Sequence, residues 1–166
     1  MMNMAAARGA KLGLALVAAL SMAACARTAN DLGGAGAGVA GAATPGSAQD
    51  FTANVGDRVF FSQDSTQLSG AATATLDKQA AWLQRYPNYS FTIEGHADER
   101  GTREYNFALG ARRAAVTKQY LAARGIAASR MRTISYGKER PVATCNDESC
   151  WNQNRRAVTV LTGAGS

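Results

Sequence analysis

The chain has 166 residues, 46 % of them hydrophobic and 18 % charged, with a formal net charge of +6. Setting aside an export signal and a linker leaves roughly 110 to 115 residues, enough for one ordinary hydrophobic core and too few for two. No block of five or six like charges occurs, and the longest basic runs are the pairs Arg112-Arg113 and Arg155-Arg156, which is not the signature of a nucleic-acid-binding protein. A modestly basic surface suits an anionic polymer or an acidic partner.

The N-terminus reads as an address. Arg8 and Lys11 form a positive region before the apolar run from Leu12 to Leu20, and small residues lead to Cys25. This is the pattern of a secretory signal peptide over 1–24, and the run is too short to span a bilayer. Ser21-Met-Ala-Ala-Cys25 resembles a bacterial lipobox, with Met22 in place of the more usual Leu. The resemblance implies cleavage before Cys25, lipid on its sulfur and a membrane anchor. There are three cysteines, and an odd one in an exported chain needs an explanation. Lipidating Cys25 leaves Cys145 and Cys150 as a pair. Residues 26–50 are rich in Gly, Ala, Ser and Thr with no apolar periodicity, so 25–50 reads as lipidated cysteine plus flexible tether. Gly36, Gly38 and Gly41 spell G-x-G-x-x-G, but no strand precedes them and Thr44-Pro45-Gly46 follows where a nucleotide-binding helix would be needed.

The folded domain is expected over 51–166. Arg58 to Phe61 reads as a short strand. Ser69 can cap a helix to about Arg85, with Ala72, Leu76, Ala80 and Leu83 on one face and Pro87 closing it. Tyr89, Phe91 and Ile93 alternate with polar residues, giving a half-buried strand. After the polar loop Gly95–Gly101, Thr102 can cap a second helix, with Glu104 favourable in its first turn and Gly125 ending it. Arg132 to Tyr136 and Ala157 to Leu161 read as two more strands. The order βαβα-ββ predicts an α/β (α+β) sandwich, one mixed sheet packed on two main helices.

The chemistry concentrates between Glu94 and Ala114. Asp98 falls in the loop between a strand end and a helix start, and Asn106, Leu109 and Arg113 follow on one face of that helix at spacings of three and four. A carboxylate, a guanidinium, an amide and an anion-binding helix start suit a ligand carrying both ammonium and carboxylate groups. On spacing alone, a plain Asp–Arg salt bridge with Asn106 packed in the core remains the competing reading.

The segment resembles the signature of the OmpA-like peptidoglycan-binding domain family, T-D-x-x-G, four residues, then N-x-x-L-S-x-x-R-A. Asp98, Gly101, Asn106, Leu109, Arg113 and Ala114 fall in register, while Ala97 and Gly110 depart from the family's Thr and Ser. Both departures, and the runs Glu94–Thr102, Leu109–Ala114, Ser135–Glu139 and Asn154–Val158, are similar to one lipoprotein branch. The resemblance covers about Arg58 to Val160. It implies non-covalent binding of the meso-diaminopimelate in the peptidoglycan stem peptide, with Arg113 on the carboxylate, Asp98 on the ammonium, and Asn106, Leu109, Gly101, Thr102 and Phe61 forming the walls (Phe60 is the alternative to Phe61). It implies an outer-membrane, periplasm-facing position, no enzymatic activity, and partnership with TolB and other Tol proteins in division and envelope integrity. His96, Glu99 and Arg100 are the expected TolB contacts.

No cofactor or metal is expected. The only histidine, His96, has no nucleophile or H-E-x-x-H pattern around it. Cys145 and Cys150 are close in sequence and read as a disulfide in an oxidising compartment; a zinc site would need two more ligands. A cell-wall amidase or muramidase would need a zinc triad or paired carboxylates, and the adjacent Asp98 and Glu99 sit in the recognition loop instead. Trp82 reads as helix packing and Trp151 as packing beside Cys150.

Overall fold

The computed structural model describes residues 43–163. The signal peptide expected over 1–24, the lipidated Cys25 and the tether as far as residue 42 lie outside the described residues. The elements are α1 (Ala48–Asp50), running on as a π-helical turn (Phe51–Gly56), β1 (Arg58–Phe60), α2 (Gly70–Arg85), β2 (Ser90–His96), α3 (Arg103–Ala123), a 3₁₀ turn (Ala128–Arg130), β3 (Met131–Gly137), α4 (Glu148–Asn154) and β4 (Arg156–Thr162). The four strands form one mixed sheet in the order β1-β4-β2-β3. β2 and β3 run parallel, joined through α3, while β4 is antiparallel to both β1 and β2. This is the expected sandwich.

Local chemistry places the two long helices. Ser69 accepts a hydrogen bond from the Ala72 amide and Thr102 from the Tyr105 amide, capping α2 and α3 at the expected residues. Gly125, at φ +88°, ends α3 in the left-handed conformation that favours glycine. Leu76 and Leu83 of α2, Leu121 of α3, and Phe91 and Ile93 of β2 meet in the core. Each such side chain stabilises the fold by about 1.5–3 kcal/mol on burial. Gln79 is buried among them: its amide donates to the Gly56 carbonyl at 2.7 Å and its carbonyl accepts from Thr159 at 2.9 Å, joining the π-helical turn, α2 and β4.

The domain takes in residues before Phe51. Ser47 caps α1, the Trp82 indole donates to Asp50 at 2.8 Å, and the Tyr89 hydroxyl donates to the Gly46 carbonyl at 2.7 Å. Phe51, Tyr86 and Tyr89 surround Trp82, whose ring is 4.9 Å from that of Phe51. A composition scan does not see this end of the tether, because one aspartate and one carbonyl hold it.

Two glycines bring α3 close against the sheet. A Cβ on Gly95 in β2 would lie 1.8 Å from the Gly110 carbonyl oxygen of α3, and one on Gly110 would lie 2.5 Å from Ser135 Oγ and 2.8 Å from the Gly95 oxygen. Here α3 rests backbone to backbone on the sheet. The departure from the family's Ser at Gly110 is thereby explained: Ser135 fills the space a side chain would take, its hydroxyl donating to the Phe107 carbonyl at 2.6 Å.

His96 closes β2. It is 2 % exposed, stacks on Tyr136 with ring centroids 5.6 Å apart, and both ring nitrogens lack a hydrogen-bond partner. Burial, followed by the charges of Arg156 and Arg140, pulls its pKa down to about 4. The family resemblance made His96 an expected TolB contact; its side chain is buried beside Tyr136 rather than at the surface.

Two predictions follow from this packing. Gly95→Ala must push the α3 backbone off the sheet and is expected to cost about 3 kcal/mol or more in urea unfolding; a loss below about 1 kcal/mol would show that the helix can shift freely. For His96, the unfolded chain takes up a proton near pH 6.5 and the folded chain only near 4, so this stabilisation is complete above pH 6.5 and is lost as pH falls through 4. Unfolding free energy should drop by roughly 2 kcal/mol between about pH 7 and pH 4.5. His96→Gln should flatten that slope, and an unchanged slope in the variant would refute the assignment.

Candidate functional site

The loop between β2 and α3 carries the site. Its first residue, Ala97, donates its amide to the Gly137 carbonyl at 2.8 Å, extending the β2–β3 pairing by one residue. Gly101 takes φ +89°, turning the chain into the Thr102 cap. Lys138 donates to the Glu99 and Gly101 carbonyls at 3.1 and 2.8 Å. Asn106, 1 % exposed, donates to the Arg100 carbonyl at 2.8 Å. Asn106 therefore fixes the loop's backbone.

Asp98 is 7 % exposed and receives two guanidinium groups. Arg100 grips it as a fork, Nη2 to Oδ2 at 2.6 Å and Nε to Oδ1 at 3.3 Å, while its backbone amide also donates to Oδ1. Arg155 donates from Nη1 to Oδ2 at 3.2 Å. Burial alone would raise the Asp98 pKa, but the hydrogen bonds from Arg100 and Arg155 outweigh it and hold the carboxyl below its ordinary value. Asp98 is thus a charged acceptor at neutral pH.

Arg113 has no exposed surface. Its Nη1 donates to the His96 carbonyl at 2.8 Å, Nη2 to the Ser62 carbonyl at 3.0 Å and Nε to the Ser65 carbonyl at 3.0 Å. Phe61, 4 % exposed, lies 5.2 Å beneath the guanidinium, whereas Phe60 is 49 % exposed on the other face of β1. Of the two phenylalanines, Phe61 is the one that lies against Arg113. Burial lowers the Arg113 pKa to about 10, which leaves it charged at neutral pH. No hydrogen bond joins Asp98 to Arg113; the Asp–Arg salt bridge of the competing reading is made with Arg100 and Arg155 instead, and Asn106 is packed in the interior as that reading expected. Leu109, 3 % exposed, packs one turn before Arg113 on the same face of α3.

Glu99 and Arg100 lie at the surface and His96 does not. Arg100 stacks on Trp151, its guanidinium carbon 3.9 Å from the ring centroid, and the Trp151 indole donates to Glu99 at 3.0 Å. Gln63 accepts from Arg100 at 3.3 Å. Trp151, Arg155 and Glu148 belong to the segment around α4, which the sequence reading did not resolve as a helix. Glu148 pairs with Arg155, whose Nε also donates to the Phe61 carbonyl at 3.1 Å. The signal for α4 was Asp147, which accepts from the Ser149 amide at 2.8 Å as its N-cap. Cys145 and Cys150 form a disulfide with Cα atoms 5.6 Å apart, closing the loop that leads into α4. Among the described residues no three His, Cys, Asp or Glu side chains gather as a metal site. A concavity of about 600 Å³, bordered by Phe107 and Tyr136, opens on a neighbouring face of α3, away from Asp98.

The OmpA family model matches residues 60–155. The chain is 68 % identical over 156 residues to the peptidoglycan-associated lipoprotein of Rhizobium meliloti (strain 1021), spanning 92 % of this chain and 88 % of the relative. It is 64 % identical over 157 residues to that of Brucella melitensis biotype 1, spanning 93 % of each. The crystal structure of the peptidoglycan-associated lipoprotein from Burkholderia pseudomallei superposes with a TM-score of 0.66 at 36 % identity, over 70 % of this chain and 100 % of that one. The C-terminal domain of Helicobacter pylori MotB shares the fold at 19 % identity, with a TM-score of 0.60 over 64 % of this chain and 84 % of that one. The chain belongs to the OmpA family, among its peptidoglycan-associated lipoproteins.

Proposed function

We propose that this chain is an outer-membrane lipoprotein whose domain binds peptidoglycan without catalysing a reaction on it. Lipid on Cys25 and the tether after it would hold the domain in the periplasm within reach of the wall. The ligand is the stem peptide at its meso-diaminopimelate, whose D-centre presents an ammonium and a carboxylate. Asp98 takes the ammonium. The family resemblance gives the carboxylate to Arg113 and the walls to Asn106, Leu109, Phe61, Gly101 and Thr102. TolB and other Tol proteins are the partners, with Glu99 and Arg100 the accessible contacts of the loop.

The observation that carries this reading is the Asp98 carboxylate. It is charged, nearly buried and at the start of α3, and the guanidinium covering its outer side is itself partly exposed. A carboxylate kept ionised beside solvent is an acceptor for a cationic ligand group. Names of relatives agree with the polymer; the diaminopimelate centre rests on the resemblance and this geometry.

Asp98→Asn is expected to abolish pull-down with purified peptidoglycan while leaving the circular dichroism spectrum unchanged, because the amide keeps the shape. Retained binding would reject the site, and release of soluble wall fragments by the wild-type chain would reject a pure binding role. Arg113→Ala is a different experiment. It leaves one buried and two partly buried carbonyls without that donor, so it should lower stability by about 3 kcal/mol as well as binding.

A further inference from the structure

Arg113 can reach a ligand carboxylate only by loosening its hold on carbonyls of the β1–α2 loop and β2. Arg155 is equally fixed, between the Phe61 carbonyl, Asp98 and Glu148, with a side chain 5 % exposed. Arg100 differs from both. Its side chain is 32 % exposed, and beyond Asp98 it makes a hydrogen bond to Gln63 and stacks on the Trp151 face. It lies two residues from Asp98, so it can swing away without moving a helix, and Asp98 keeps Arg155 when it does.

Building on the diaminopimelate reading but moving the carboxylate from Arg113, where the resemblance puts it, we propose that Arg100 is the specificity-determining residue of the site: the ligand's D-centre inserts into the Asp98–Arg100 ion pair, its ammonium replacing the guanidinium on Asp98 and its carboxylate receiving the guanidinium released. In the free protein Arg100 stands where the ligand's ammonium will be. After exchange, two ion pairs replace one and no charge is left without a counter-charge. A ligand with only an ammonium, such as the side chain of a lysine-containing stem, would free Arg100 and give it nothing to bind. The exchange thus selects an amino-acid centre over an amine. The fork geometry of arginine matters, since it matches the planar carboxylate on both sides of the exchange.

The test is a calorimetric titration of the full chain in detergent micelles. Two synthetic stem peptides are compared, one with meso-diaminopimelate and one with its D-centre carboxylate converted to a carboxamide. Against the wild type, the carboxamide should bind about 10–100-fold more weakly than the acid. Against Arg100→Gln the two peptides should bind within about three-fold of each other, and Arg100→Lys, which keeps the charge without the fork, should lie between. The acid peptide should also shift the tryptophan emission of the wild type as Arg100 leaves Trp151, and Trp151→Phe should remove that shift while the buried Trp82 remains. An equal carboxamide penalty in wild type and Arg100→Gln, or an emission unchanged at saturation, overturns the exchange and leaves the Asp98 site standing. Absence of saturable binding by the acid peptide to the wild type, or full affinity in Asp98→Asn, overturns the diaminopimelate reading and the exchange together.

Discussion

Arg113 carries a positive charge with no exposed surface, and each of its three nitrogens donates to a backbone carbonyl. Two of those carbonyls belong to the segment between β1 and α2, and the third belongs to the last residue of β2. One side chain on α3 therefore joins three segments far apart in sequence. Desolvating a guanidinium is costly unless its donors are met, and the carbonyl dipoles meet them here. A lysine could not do this, because a single ammonium cannot aim at three carbonyls spread around a planar fork. The charge that results lies behind Asp98 and raises the local positive potential.

Arg130 does a similar job at the opposite end of the sheet. Its Nε, Nη1 and Nη2 donate to the carbonyls of Tyr89, Leu83 and Tyr86, tying the end of α2 to the start of β2. Between these two arginines the glycine contact of β2 with α3 sets the helix height over the sheet. The loop that bears Asp98 then hangs from a frame whose position is fixed at both ends. Its own freedom is limited by the Asn106 bond to Arg100, the Lys138 bonds to Glu99 and Gly101, and the left-handed turn at Gly101. What stays adjustable is the Arg100 side chain.

The outer wall of the site comes from much later in the chain. The disulfide closes the approach to α4, and Asn154 accepts from the amides of Val142 and Ala143 at 2.8 and 3.3 Å, bracing the same loop. From this short helix Glu148 and Trp151 face the recognition loop, and Arg155 at its end reaches Asp98. Charge balance across the site is thus shared among residues 98, 100, 148 and 155, with Asp98 and Glu148 opposing Arg100 and Arg155. This explains why a buried carboxylate can remain ionised so close to an apolar wall.

The amino-acid sequence by itself determined the four strands and the two long helices. Caps at Ser69 and Thr102, the alternation along β2 and the glycine after α3 are local signals, and each rests on hydrogen bonds or periodicity within a few residues. It also brought Asp98, Asn106, Leu109 and Arg113 into one candidate site, because a loop followed by helical spacing is itself local geometry. It did not decide what those side chains do. Asn106 binds a loop carbonyl, Arg113 is satisfied internally, and His96 turns inward, and none of this is set by spacing. Only the tertiary structure brought Arg155, Glu148 and Trp151 from α4 to Asp98, separated Phe61 from Phe60, and drew the tether's last residues onto Trp82. The reason is physical: a buried charge takes whatever donors and acceptors the fold places within about 3 Å, and those partners are chosen by chain packing over separations of up to 94 residues.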